Sequence, residues 1–411
     1  MARVVVIGAG VIGLWCAYAL RRRGHDVIVI ERGEPGGACS AGNAGWVVPS
    51  LSEPLPAPGL VRTSLRWMLN PESPLYIAPT AVPGIAGFLW RFWRHCNAAS
   101  FGRGVEALRQ LNRLTMAGFD ELEHESGETI TERRGLLWLF LSEAAMRAAL
   151  ASHSHSDLDE PVAMARTELQ AFEPAISREV AAGLWFRQDR HLRPERLCAL
   201  LAARLRANGA EIREREAVVG VVTRGDVGCS IRTEHAECEA DHFVIAAGVW
   251  SRAMGRHYGV SLPVYPGKGY SLTYPSPQVR FSRPLDLVDA RVAVTPFADG
   301  LRLAGTMELS DMTDRIRQNR VEAILRGAER YLDARLPVGE GRVWMGMRPL
   351  TPDGLPLIGR LPGWRNVYVA TGHAMLGVTL APATAGLVAD VVDDRAVDAE
   401  VRPFDPARFA S

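Results

Sequence analysis

Gly8, Gly10 and Gly13 stand in a Gly-x-Gly-x-x-Gly run directly after Arg3-Val4-Val5-Val6-Ile7. That spacing is the chemistry of a phosphate cradle. The β-branched run reads as a buried parallel strand. Leu14 to Arg23 reads as a helix closed by Gly24, and Asp26 to Ile30 as a second strand ending at Glu31. In such a unit Gly8 allows the tight turn, Gly10 admits a pyrophosphate, and Gly13 lets helix and strand pack closely. The helix N-terminus offers free N–H groups and a positive dipole end, and Val11 and Ile12 before it are expected cofactor contacts. Glu31 stands where a carboxylate binds ribose hydroxyls, which favours FAD or NAD over NADP. A lone glycine motif is weak evidence. Strand, helix, strand and terminal acid in register make a dinucleotide site.

The elements that must complete this site are spread along the chain. Arg32-Gly33 is followed by the small-residue run Ala38-Cys39-Ser40-Ala41-Gly42-Asn43-Ala44-Gly45, which suits a backbone lying against a flat ligand. A later apolar strand from Asp241 ends in Ala246-Ala247-Gly248-Val249-Trp250-Ser251. Near the C-terminus stand Met347-Arg348-Pro349-Leu350-Thr351-Pro352-Asp353-Gly354 and Gly372-His373-Ala374-Met375-Leu376-Gly377-Val378-Thr379. With Lys268-Gly269-Tyr270-Ser271, these motifs resemble the FAD-dependent amino-acid oxidoreductases of the D-amino-acid oxidase superfamily. They are most like its bacterial D-amino-acid dehydrogenase branch. The resemblance runs over nearly the whole chain.

That resemblance implies an α/β fold, with a Rossmann-like FAD-binding domain interleaved with an α+β substrate domain built on an antiparallel sheet. The FAD domain is expected over 1–50, 182–260 and 343–411, and the substrate domain over 51–181 and 261–342. Pro194 to Asn208 reads as a helix with Pro in its first turn, and Glu211 to Val222 as strand. Residues 263–275 and 291–306 read as strands, and Arg317 to Leu332 as an amphipathic helix. The resemblance gives Arg348 the substrate carboxylate, which its planar fork matches. It places the adenine end of FAD at Val218 and the flavin over Gly372 to Thr379, with Gly377, Val378 and Thr379 opening a helix towards the ring. Ser40, Asn43, Ala44, Gly45, Ala247, Gly248, Trp250 and Leu376 complete the expected cofactor contacts. His373 is expected near the ring and Tyr270 near the substrate. Asp189, His191 and Arg193 are a weaker polar cluster on the same side. Cys39 and His373 are conceivable flavin attachment points, but no motif compels one.

Composition bounds the alternatives. The chain has 411 residues, 47 basic and 46 acidic, so its net charge of +1 argues against a broad nucleic-acid surface. Its six cysteines form no CxxC pair, so a zinc site has no support, and they suit a reducing compartment such as the cytoplasm. All the basic side chains but Lys268 are arginine. The uncharged run Val4–Leu20 is short for a bilayer span of about 20 residues and lacks a signal-peptide cleavage site.

The stretch from Leu60 to Cys96 interleaves Trp67, Met68, Leu69, Phe88, Trp90, Phe92 and Trp93 with Arg62, Arg66, Arg91 and Arg94. Two readings stand: a packed helical insertion, or a peripheral contact with the inner face of the cytoplasmic membrane. The dehydrogenase branch passes electrons to a quinone, which gives the second reading a purpose. Five activities remain open: D-amino-acid dehydrogenase, D-proline or 4-hydroxy-D-proline dehydrogenase, glycine or sarcosine oxidase using oxygen, a flavin-binding subunit of a larger dehydrogenase, and an NAD-binding dehydrogenase.

Overall fold

The computed structural model describes residues 1–60, 73–152, 160–275, 277, 279–333, 336–395 and 399–410. Its first layer is a six-stranded sheet. The order is Leu357–Arg360, Val367–Thr371, His242–Ile245, β1 (Arg3–Ile7), β2 (Asp26–Ile30) and Glu211–Arg213. All neighbours run parallel except the first pair. Val4, Val5 and Val6 are wholly buried, because a parallel sheet is covered on both faces. On one face α1 (Val11–Arg22) packs with the helices Pro194–Ala207 and Gly377–Val392. On the other lies a three-stranded antiparallel sheet, which contributes Ile231 and Cys238 to the core around Val5 and Ile28.

The stretch Glu211 to Val222 is not one strand. Glu211–Arg213 completes the parallel sheet, and Val218–Arg224 opens the small antiparallel one. Arg215 turns the chain between them at φ 55°, with its N–H on the Gly33 carbonyl.

The second layer has nine strands. Eight follow the order Arg342–Leu350, Tyr265–Tyr274, Gly300–Leu309, Val292–Phe297, Leu285–Leu287, Leu136–Phe140, Ala182–Phe186 and Val162–Ala165. Most pairings are antiparallel, as expected. Two are parallel: Leu285–Leu287 with Leu136–Phe140, and Gly300–Leu309 with Leu75–Ile77. One face buries Leu137, Leu272, Leu285 and Leu303 under the helix Gln318–Glu329. The other looks towards the first layer.

Three stretches lie across the expected domain boundaries. Ala182–Phe186 and Arg342–Leu350 belong to the nine-stranded sheet, because their backbones pair with Leu136–Phe140 and Tyr265–Tyr274. Helices Ala98–Asn112 and Thr115–Ser126 instead join the core of the first layer, where Leu108 and Phe119 share a cluster with Leu14 and Val378. Of the aromatic stretch, residues 61–72 lie outside the described residues. The helix Val82–His95 follows, with Phe88 buried and Trp90 and Trp93 more than half exposed.

One buried guanidinium joins the layers. Arg302, 4% exposed, stands on Gly300–Leu309. Its Nη1 donates to the carbonyls of Ala41 (3.0 Å) and Asn43 (2.7 Å), its Nε to Thr273 Oγ1 (2.9 Å), and its Nη2 to Glu195 Oε1 (2.5 Å). Trp46 Nε1 adds a bond to Thr295 Oγ1 at 2.8 Å. Every nitrogen of the fork is engaged, so truncation strands two loop carbonyls and a carboxylate. Arg302→Ala should cost about 2–3 kcal/mol, read as a lower melting temperature and weaker flavin retention. An unchanged melting temperature would show that the seam is held elsewhere.

Candidate active site

A cavity of about 340 Å³ lies between the layers. Gly8, at φ +106°, turns the chain at its wall, and a Cβ there would stand 2.6 Å from the Ala246 carbonyl oxygen. A Cβ at Gly13 would stand 1.8 Å from the Gly8 oxygen, so this glycine seats α1 on the turn rather than touching a ligand. At Gly10 the nearest atom to such a Cβ is Ser40 Oγ at 3.5 Å, which leaves room for a close-approaching phosphate. Ser40 Oγ accepts from Val11 N–H at 3.0 Å, and Gly10, Val11, Ile12, Ser40 and Asn43 all line the cavity.

Glu31 and Arg32 line the wall near Val218. The Glu31 carboxylate accepts from Ala9 N–H (2.8 Å) and Gly33 N–H (2.9 Å), which fixes its rotamer where β2 ends. The Arg32 guanidinium lies 3.6 Å from the Trp250 ring centre, a cation–π contact that shapes the same wall. Ala247 and Gly248 line it further along.

Elsewhere in the cavity stand His373, Gly377 and Val378. The helix Gly377–Val392 therefore presents its N-terminal end to it, as α1 does with Val11. His373 is 3% exposed. Its Nε2 meets Thr384 Oγ1 at 2.9 Å, and its Nδ1 has no partner among the described residues. Burial pushes its pKa down to about 3, so the ring stays neutral. A cavity with two helix N-termini, a ribose-type carboxylate and an orphaned imidazole nitrogen fits FAD, whose pyrophosphate the first helix end would hold.

Six expected cofactor residues do not line the cavity: Gly13, Ala44, Gly45, Gly372, Leu376 and Thr379. Most of them hold neighbouring chain in place. Gly45 packs on the Leu192 carbonyl, and Gly372, at φ +83°, packs on Thr351. Thr379 Oγ1 accepts from Val48 N–H (3.2 Å) and donates to the Trp46 carbonyl (3.1 Å). The polar cluster does similar work. Asp189 accepts from Ser50 Oγ, Arg193 pairs with Asp299, and His191, pushed down to about 4 by burial, sits opposite Trp46.

Arg348 stands on the edge strand Arg342–Leu350, between Met347 and Pro349, which both line the cavity. Its Nη1 donates to the Thr306 carbonyl at 2.8 Å. No carboxylate among the described residues pairs with it. Burial lowers its pKa from the ordinary value, opposed by the Cys39 thiol, which burial in turn pushes up to about 11. The guanidinium lies flat on Gly269, where a Cβ would be 2.3 Å from Cζ. Gly269 is therefore a requirement of this seat.

Tyr270 does not join Arg348. It is 1% exposed, and its hydroxyl donates to Glu308 at 2.9 Å on the opposite face of the sheet. Lys268 shares that far face, with Nζ on Asp311 at 2.7 Å. The cavity also uses residues that the motifs did not single out for cofactor contact: Cys39, Met347, Pro349, Thr371 and Ala374. Each adjoins a recognised motif residue, which is the one signal that could have found them. Ala374 N–H bonds the Pro349 carbonyl at 3.0 Å and so ties the two motifs together.

Comparison with known proteins agrees with this geometry. The family model described as FAD dependent oxidoreductase matches residues 3–391. A D-amino acid dehydrogenase of Vibrio cholerae is 30% identical over 95% of both chains. One of Methylobacterium radiotolerans is 32% identical over 99% of this chain and 100% of its own. Glycine oxidase from Geobacillus kaustophilus shares the fold at a TM-score of 0.77 and 23% identity, with full coverage of both chains. L-proline dehydrogenase from P. horikoshii does so at 0.75 and 18%, covering 100% of this chain and 98% of its own. A parallel sheet bearing the dinucleotide turn, an orphaned histidine beside a helix N-terminus and a family match over almost the whole length lead to one conclusion: this chain belongs to the FAD-dependent oxidoreductase family.

Proposed function

We propose that the protein is a D-amino-acid dehydrogenase that oxidises its substrate at Cα. The observation that carries this reading is Arg348, a shielded guanidinium without a carboxylate, held flat beside the flavin cavity. Such a group is costly until an anion meets it, and an α-carboxylate matches its fork in two parallel hydrogen bonds. FAD, when bound, supplies the hydride acceptor. The chain supplies orientation and electrostatics. Arg348 holds the carboxylate, neutral His373 adds no competing cation, and the N-terminal end of Gly377–Val392 favours negative charge in the cavity. A substrate amine that binds neutral needs no further base. The relatives named D-amino acid dehydrogenase, matched almost end to end, support the D configuration.

The electron acceptor is, on this reading, a membrane quinone. Trp90 and Trp93 support it, since two large apolar rings more than half exposed on one helix are unusual, and Arg94 lies 4.9 Å from the Trp90 ring. No helix of the described residues is long and apolar enough to cross a membrane, so contact would be peripheral.

The purified flavoprotein should bleach anaerobically with D-amino acids and recover slowly in air. Fast recovery would make it an oxidase. Bleaching by glycine, sarcosine or the D-prolines alone would move the substrate to those amines. No bleaching at all would leave a flavin-binding subunit. Arg348→Ala should raise KM about 100-fold, the equivalent of losing roughly 3 kcal/mol of charge-assisted bonding; an unchanged KM removes Arg348 from the site. Replacing Trp90 and Trp93 by Ser should lower turnover with quinone in vesicles while sparing soluble dyes. Equal losses in both assays would refute docking.

A further inference from the structure

The face of the nine-stranded sheet that carries Arg348 is apolar at both ends. At one end Leu136, Trp138 and Leu184 pack against Val48. At the other Met307, Leu309 and Leu350 pack against Phe88. Between them the register sets one row: Trp344 opposite Ser271, Ser271 opposite Ala304, Ala304 opposite Ala293, and Ala293 opposite Asp286. Residues directly opposite share a face, and so do residues two or four apart on a strand. Trp344 therefore shares a face with Arg348, and Asp286 shares it too.

The middle of the row is two alanines, with no side chain beyond Cβ. Polar groups without partners flank them. Ser271 is 1% exposed and its Oγ has no hydrogen-bond partner among the described residues. Asp286 is only half-buried, yet it makes no hydrogen bond or ion pair among the described residues. Burial pushes its carboxyl up to about 7, opposed only by Arg291, which stays beyond ion-pair distance. Glu53 also feels Arg291 and is likewise raised by burial. A shielded carboxyl that still meets solvent lies in a recess, and its cost falls only if a ligand supplies a partner.

Reach selects the ligand. The Arg348 guanidinium lies over Gly269, on the strand of Ser271. Three strand spacings separate that strand from Asp286, about 14 Å. Charge-assisted bonds of about 3 Å at each end leave roughly 8 Å. Alanine, serine and proline are too short for that gap, and lysine and arginine side chains fit it. We infer that the substrate carries a cationic end, an ammonium or guanidinium, which Asp286 receives while Arg348 holds the α-carboxylate. This deepens the proposed amino-acid oxidation and rests on it.

The test uses the holoenzyme with D-lysine, D-arginine and D-norleucine, the last being lysine-like in length without the charge. The wild type should favour the cationic substrates in kcat/KM by on the order of 10- to 100-fold. In Asp286→Asn that ratio should collapse towards one, mainly through KM. Equal or better use of D-norleucine by the wild type, or a preference that survives Asp286→Asn, overturns the inference. Flavin reduction by D-norleucine and D-methionine without that preference overturns this inference alone; no reduction by any D-amino acid overturns the underlying reading as well. Flavin absorbance and melting temperature check that the variant folds. If it does not, Ala293→Leu fills the floor and should lower the D-arginine to D-alanine ratio; an unchanged ratio counts against the proposal.

Discussion

Two sheets that share no strand have to meet across a cleft without closing it, and the chain passes repeatedly from one to the other. Arg302 sets their separation. Its guanidinium reaches from the second sheet to two carbonyls of the loop Ala41–Asn43 and to Glu195 at the start of Pro194–Ala207. A planar fork suits this task because one rigid group can satisfy partners in several directions. The same loop places Ser40 beside the start of α1 and carries on to Trp46 and Val48, which Thr379 grips. Displacing that loop would therefore disturb the phosphate cradle and the helix Gly377–Val392 together.

The arginines divide by how fully they are paired. Arg302 has a partner on each of its three nitrogens. Arg320 is wholly buried and donates to the carbonyls of Ser73, Pro74 and Met307. Those bonds hold the irregular stretch at Thr306, whose φ is 57° and whose carbonyl is the acceptor for Arg348. Arg348 itself keeps most of its fork free. A buried cation whose donors are taken up by the chain is structural, whereas one with free donors can still meet an anion. The abundance of arginine in this chain hides that distinction at the level of counting.

The dinucleotide unit was legible because its parts are neighbours in sequence. Turn, helix and strand between Arg3 and Glu31 are fixed by local sterics, and the glycine spacing encodes them directly. The motif around Arg348 marked a residue that lies on the edge strand beside the cavity-lining Met347 and Pro349. Tyr270 misled because a strand puts adjacent residues on opposite faces. Gly269 lies under the guanidinium, and Tyr270, one residue on, lies in the core with Glu308. Which parity faces the site depends on pairing with distant strands, and no local pattern reveals it. The same limit moved Ala182–Phe186 and Arg342–Leu350 across the expected boundary, since hydrogen bonds to partners far along the chain set their sheet. Met347 and Pro349 share the strand parity opposite to that of Arg348, so the arginine between them gave no sign that they line the cavity.

Lys268 joins these threads. Its solitude invites a catalytic reading, but parity puts it on the far face, with Tyr270 and away from Arg348. Its register partner is Glu308, and its ammonium reaches Asp311 (2.7 Å) and Thr313 Oγ1 (3.4 Å) from a side chain 2% exposed. Glu308 already accepts from Tyr270 and Arg317. A compact point charge on a flexible stem fits a crowded strand surface of this kind, where a broad planar fork would have to displace one of those donors. Packing on the face opposite Arg348 is thus a sufficient physical reason for lysine at this one position.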